Sequence, residues 1–173
     1  MRLSSVLAAL LLVFSNCQKD RVKPGFDMVY QRELVLAPGL GPLVTHHFYL
    51  RDIPTRFKTL LQENEKTAAD IQAILTRQAS LVGIFGDADF SVVEEASLRV
   101  YEGSNPNGAI EAAYRFPTPI ERSNQLDLIP SLADTKRVLS GDRFSIDLAL
   151  RLRRNTTEET PVRLNLVFRA AYN

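Results

Sequence analysis

The adjacent pair His46 and His47 is the first place in the chain where residue type suggests metal chemistry. Consecutive residues of a strand point to opposite faces, so a regular strand cannot aim both imidazoles at one ion. The chain has no third histidine and only one cysteine, so a zinc site would need carboxylates from elsewhere. The expected arrangement puts His46 beside Phe48 on an inner face and His47 near the surface. The stretch GDADFS, residues 86–91, offers Asp87 and Asp89 at alternate positions. Read as a calcium loop it fails, because Val92 stands where the sharp turn needs glycine and Leu98 where the closing glutamate belongs. Aspartates in a turn serve their own backbone, which is the simpler reading.

Glu94 and Glu95 are neighbours in a strand-like run and should diverge, so they make a poor acid and base pair. Carboxylates from separate strands, such as Glu95 and Glu111, could still meet. Arg151, Arg153, Arg163 and Arg169 fall on the polar phase of the last two strands and form the one partner or anion surface the pattern suggests. A solvated face neutralised by Glu95, Glu111 or Asp147 is the alternative. A row of exposed tyrosines, with Tyr30, Tyr49 and Tyr101 as the residues to inspect, would point to carbohydrate. Tryptophan is absent, which removes the ring most used for that purpose. No serine lies in a G-x-S-x-G context, and the glycines of APGLGPL sit among prolines, as a turn requires and a phosphate loop does not. NTT at Asn155 fits an N-glycosylation acceptor pattern, which by itself indicates only a surface loop.

The elements that must position these residues read mostly as strands. FDMVYQRELVL and LVTHHFYLRDI are rich in β-formers and are separated by a turn. From Pro54 the apolar residues Phe57, Leu60, Leu61, Ile71, Ile74 and Leu75 recur at helical spacing. The spacing predicts a helical insertion over 54–82, with Thr67 and Asp70 as a cap and Gly83 and Gly86 as the stop. FSVVEEASLRVY and AIEAAYRF form an expected hairpin, QLDLI a short strand, and SLADTKRVLSGD a short second helix capped by Ser131. In RFSIDLALRLRR and PVRLNLVFRAAY the alternation is strict, which predicts an antiparallel terminal pair. The sum is a mainly β fold: an antiparallel two-sheet β-sandwich of about seven strands with two helical additions. A single twisted sheet with helices across one face satisfies the same pattern.

The N-terminus supplies the address. Arg2 precedes the nine-residue apolar run VLAALLLVF, too short for a bilayer span and the length of a signal core. FSNC, ending at the sole cysteine, Cys17, resembles a bacterial lipobox, and the following QKD resembles the export signal of surface lipoproteins in Bacteroidota. Asn16 departs from the small residue usual before a lipidated cysteine. The resemblance implies a signal peptide at 1–16, a lipidated tether at 17–25 and one domain at 26–173. It also implies an outer membrane protein of the bacterial cell envelope, surface-exposed in the export-signal variant, that meets its membrane through a lipid on Cys17.

With one cysteine there is no intrachain disulfide. Formal charge is +1, and loss of Arg2 with the signal takes it to neutrality, so nothing in the charge calls for nucleic acid. The expectation is a non-enzymatic binding or assembly module with an envelope protein or glycan as partner, needing no cofactor. A structural subunit of a surface fibre, and an envelope hydrolase acting on glycans through carboxylates, are the alternatives.

Overall fold

The computed structural model describes residues 23–86, 88–104 and 106–172. The expected signal segment at 1–16, Cys17 and Asp87 lie outside the described residues. Strands β1 (Lys23–Leu36), β2 (Thr45–Pro54), β3 (Ile71–Gly83), β4 (Val93–Tyr101), β5 (Ile110–Arg115), β6 (Gln125–Pro130), β7 (Arg143–Leu152) and β8 (Thr160–Tyr172) account for most of the chain. They form one eight-stranded sheet in the order β1-β8-β3-β6-β5-β4-β7-β2. Every pairing is antiparallel. The sheet is mainly β by content and curls nearly into a barrel, with buried residues from each strand joined in one core.

The alternation read in the sequence does its work in the last strands: Phe144, Ile146, Leu148, Leu150 and Leu152 of β7 and Val162, Leu164, Leu166 and Phe168 of β8 are all buried. The two strands are nevertheless not partners. β7 pairs with β2 and β4, and β8 with β1 and β3, so the expected terminal hairpin is replaced by four non-local pairings. Period-2 patterning reports which face is buried and says nothing about which strand lies alongside.

Two further expectations are corrected. The strands number eight where about seven are expected, and backbone pairing runs through all of them in one order, made continuous by the short β5–β6 pairing of Ala113 with Pro130 and Tyr114 with Ile129. The helical insertion over 54–82 shrinks to helix α1 (Phe57–Glu63) and one 3-10 turn, Ala68–Asp70; its second half is strand β3. The reason lies in two register shifts, between Ile71 and Ala73 and between Thr76 and Gln78. Each shift breaks the alternation: the buried positions are Ile71, Ile74, Thr76, Ala79, Ser80, Leu81 and Gly83, and the first apolar ones among them fall at spacings that imitate a helix. The Thr67 and Asp70 cap is present around that single turn: the Thr67 backbone N–H and hydroxyl both donate to Asp70 Oδ2, at 2.7 and 2.8 Å. Helix α2 spans only Lys136–Leu139 and begins after Thr135, not at Ser131. Ser131 instead accepts from the Ala133 N–H, and Asp134 from the N–H groups of Ile74 and Lys136.

The chain's elements define two ends. At one lie Lys23, Ile71 and Tyr172, in register on neighbouring strands, with α1 and α2. At the other lie the turns 37–44, 84–92, 116–124 and 153–159. Gly83 closes β3 at this second end against the loop before β6, exchanging backbone and side-chain bonds with Asn124 at 3.0 and 3.2 Å. A methyl group at Gly83 would lie 2.1 Å from Asn124 Oδ1 and 2.3 Å from Ala88 Cβ. Gly83→Ala is therefore expected to lower unfolding free energy by about 1–3 kcal/mol in urea titration. Wild-type stability in that variant would show that the loop yields without cost.

Candidate functional site

Asp147 lies on the outward phase of β7, where the alternation would leave it wet, yet its side chain is only 1% exposed. Its register neighbours are Tyr49 on β2 and Arg99 on β4, so long side chains from both flanking strands close over it. His47 Nδ1 donates to Asp147 Oδ1 at 2.8 Å, and Arg99 Nη2 donates to Oδ2 at 2.5 Å. A carboxylate only accepts, so the proton of the shared bond sits on Nδ1; in the neutral ring Nε2 is left as an acceptor. His47 stacks on Tyr49, with centroids 5.9 Å apart and ring planes within 11°, and the Arg51 guanidinium lies 5.6 Å from the far ring of that pair. The result is a ladder of three planar groups along edge strand β2, fixed at its base by a covered carboxylate.

Ser97 shares this face, in register with Ala149 and, one strand further, with His47. Serine, histidine and aspartate therefore occupy one surface without forming a nucleophilic relay. Ser97 and His47 are two strands apart, about 9.6 Å. The Ser97 hydroxyl donates instead to Glu111 at 2.9 Å. A nucleophile and its base must share a bond, and these two do not.

Glu94 and Glu95, expected to diverge, both approach Arg151, at 3.2 and 3.3 Å. The register shift between Val93 and Glu95 sets two residues of β4 against one of β7 and brings them to the same side. Glu95 and Glu111 are not brought together: Arg99 is the partner of Glu111, four residues from Glu95 and roughly 13 Å along the strand. Arg151 also covers the ring of exposed Phe116, 5.8 Å away. Exposed Tyr114 lies across from Ser97 and beside Ile129.

The other arginines go separate ways. Arg153 turns inward and donates to the carbonyls of Ser91, Val93 and Thr118 and to the Thr118 hydroxyl, tying the start of β4 to the loop before β6. On the far side of the sheet order, Arg163 donates to Glu33 at 2.8 Å, and Arg169 holds Asp27 with two bonds, at 2.8 and 3.1 Å. The four cations thus form no single surface, because β7 and β8 are not neighbours.

Of the three tyrosines named for a carbohydrate row, Tyr30, Tyr49 and Tyr101, only Tyr49 is exposed. Tyr101 is buried, and Tyr30 is buried with its hydroxyl donating to the Thr55 carbonyl at 2.7 Å, where desolvation pushes the phenol well above its usual range. His46 keeps its expected inner position with Phe48, donating to the Gly41 carbonyl at 2.8 Å. Asp89 caps the 3-10 turn Phe90–Val92 by accepting from the Ser91 N–H and pairs with Arg154 at 2.9 Å. Burial raises its carboxyl, but the Ser91 bonds and the charges of Arg154 and Arg122 outweigh that and leave it below the usual range. Among the described residues no group of three or more histidine, cysteine, aspartate or glutamate side chains could hold a metal ion.

No family model matches the chain, and no curated protein matches it. A solved structure from Desmodium yellow mottle tymovirus is similar at a TM-score of 0.27 and 8% identity, covering 86% of this chain and 88% of that one.

The Asp27 cluster gives a test on the opposite face. The Arg169 bond, opposed by burial and aided by Arg77, holds the Asp27 carboxyl below its ordinary value. A depressed folded-state pKa contributes stability that is complete above the unfolded value, about 3.9, and is lost as pH falls through the lower folded one. Asp27→Asn should therefore unfold at lower urea than wild type at pH 6, with the difference shrinking as pH is taken below about 3.9. A difference independent of pH would mean that packing, not charge, sets the effect.

Proposed function

We propose that this chain is a lipid-anchored protein of the bacterial cell envelope whose β domain binds or assembles with an envelope partner and performs no chemistry of its own. The observation that carries the reading is the outward face of β2, β7, β4 and β5. There the covered Asp147 holds His47 and Arg99 in place, while Tyr49, Tyr114 and Phe116 stay exposed around them. Fixed polar groups among exposed rings lose little entropy when a partner arrives, which is what a recognition surface needs. Conversely, an acid and base pair or an activated hydroxyl is not assembled there. No helix among the described residues is long and apolar enough to cross a membrane, so on this reading attachment falls to the lipid on Cys17.

Within the same proposal the sheet works as two four-stranded halves, β1-β8-β3-β6 and β5-β4-β7-β2, facing each other as a sandwich. That strand order, with the β5–β6 bridge limited to two residue pairs, is the wiring of a double-sheet jelly roll. In such an arrangement the face around Asp147 is the outside of one half, free of the core.

The test is in-cell photo-crosslinking from a reactive aromatic residue placed at Tyr49 or Tyr114, with Val29 on the opposite half as control. A recurrent envelope partner is expected from the first two positions only. Asp147→Ala should reduce its yield by about tenfold, the scale of losing one central contact. Equal yields from Val29, or an unchanged yield in Asp147→Ala confirmed as folded, would sink the reading.

A further inference from the structure

The proposed anchor and the fold together set how the domain stands on its membrane. Cys17 and Lys23 are six residue steps apart, so a lipid on Cys17 holds the start of β1 within about 20 Å of the headgroups whatever path the tether takes. β3 alone, at 13 residues, runs about 43 Å from that end of the sheet to the other. The end that carries Lys23 is therefore the near one.

What is displayed there suits a headgroup layer. Lys23 is in register with Tyr172, and Tyr172 with Ile71. The Lys66 ammonium sits 5.3 Å from the Tyr172 ring, and the Lys136 ammonium donates to the Ile71 carbonyl. Lysine and tyrosine both bury an apolar body while keeping a polar tip wet, as an interface requires. Beside them the loop 131–135 is fastened to β3, with Asp134 accepting from the Ile74 N–H and Thr135 donating to the Ile74 carbonyl. That fastening holds Leu132 out, 92% exposed.

Lys58 is paired with Asp142 and Arg143 with Asp52 at this end, while Lys66 and Lys136 form no ion pair among the described residues. Lying on its side, the domain would press the paired Asp27, Arg77, Arg169, Glu33 and Arg163 against lipid, at a cost in desolvation.

We propose that the domain stands end-on, with the surface formed by Leu132, Lys66, Lys136 and Tyr172 resting on the bilayer that holds the Cys17 lipid. The inference rests on the lipid-anchored reading above. It leaves the turns at the far end, including Leu43 at 95% exposure, out of reach of that bilayer.

Because the only native thiol would be blocked by lipid, an introduced cysteine can be labelled alone. Leu132→Cys and Leu43→Cys are purified from membranes in native lipidated form and labelled with a fluorophore. Both are reconstituted in vesicles of phosphatidylethanolamine and phosphatidylglycerol carrying a headgroup nitroxide, and the mass of the N-terminal peptide is read in parallel. Loss of fluorescence at 132 and none at 43 is the expected result. Equal quenching at both, or quenching at 43 alone, in protein whose mass includes the lipid overturns the orientation and leaves the anchor intact. A free Cys17, or an N-terminus without lipid, overturns the anchor and the orientation with it.

Discussion

The edge-to-face contact of Tyr30 with Phe144, at 4.9 Å, joins the first strand of the sheet order to the seventh. Phe168 completes the cluster, 6.1 Å from Tyr30 and 6.5 Å from Phe144. An eight-stranded antiparallel sheet that did not close on itself would leave one apolar side in water, and this contact lies at the heart of the cluster that closes it. With it, β1 and β7 face each other across a common core. Each such aromatic pair adds about 0.5–1.5 kcal/mol beyond its buried area. The Tyr30 hydroxyl carries the same closure to the polar level, reaching the Thr55 carbonyl just past the end of edge strand β2. Because no disulfide can form within the chain, the curl depends on packing of this kind throughout.

That dependence explains which parts of the fold were legible. The buried phases of β7, β8 and β4, and the local β4–β5 hairpin, follow from alternation and turn chemistry. β3 did not, because its two register shifts turn Ile71, Ile74 and Ala79 toward one side at spacings a helix would also use. Strand partners were beyond reach for a different reason. β7 and β8 are each complete as patterns, and only contacts far along the chain decide that they separate.

The outward face shows the same division. That His47 and Asp147 stand on the polar phase of their strands was visible; that they touch was not, since one hundred residues separate them. Arg153 was read as a surface cation from its phase, yet it bends into the loops and serves as a backbone clamp. Glu94 and Glu95 converge on Arg151 only because a bulge overrides the rule that neighbours diverge. In each case the residue type was informative, while the side chain's partner was decided by non-local strand pairing, by a strand end or, for Glu94 and Glu95, by a bulge.

The pairing of β1 with β8 has a consequence for how the chain comes into being. A ribosome delivers the first strand long before the last, and β1 has no other partner in the sheet. Nor can β2 settle, since its sole neighbour, β7, is also made late. Loops closed over such distances form slowly, because their entropy is lost before any contact repays it. The polypeptide thus stays open until its last strands are made. Until β8 arrives, the apolar phase of β1, Phe26, Met28, Tyr30, Leu34 and Leu36, stands uncovered, and that is the interval in which association with another chain competes with folding.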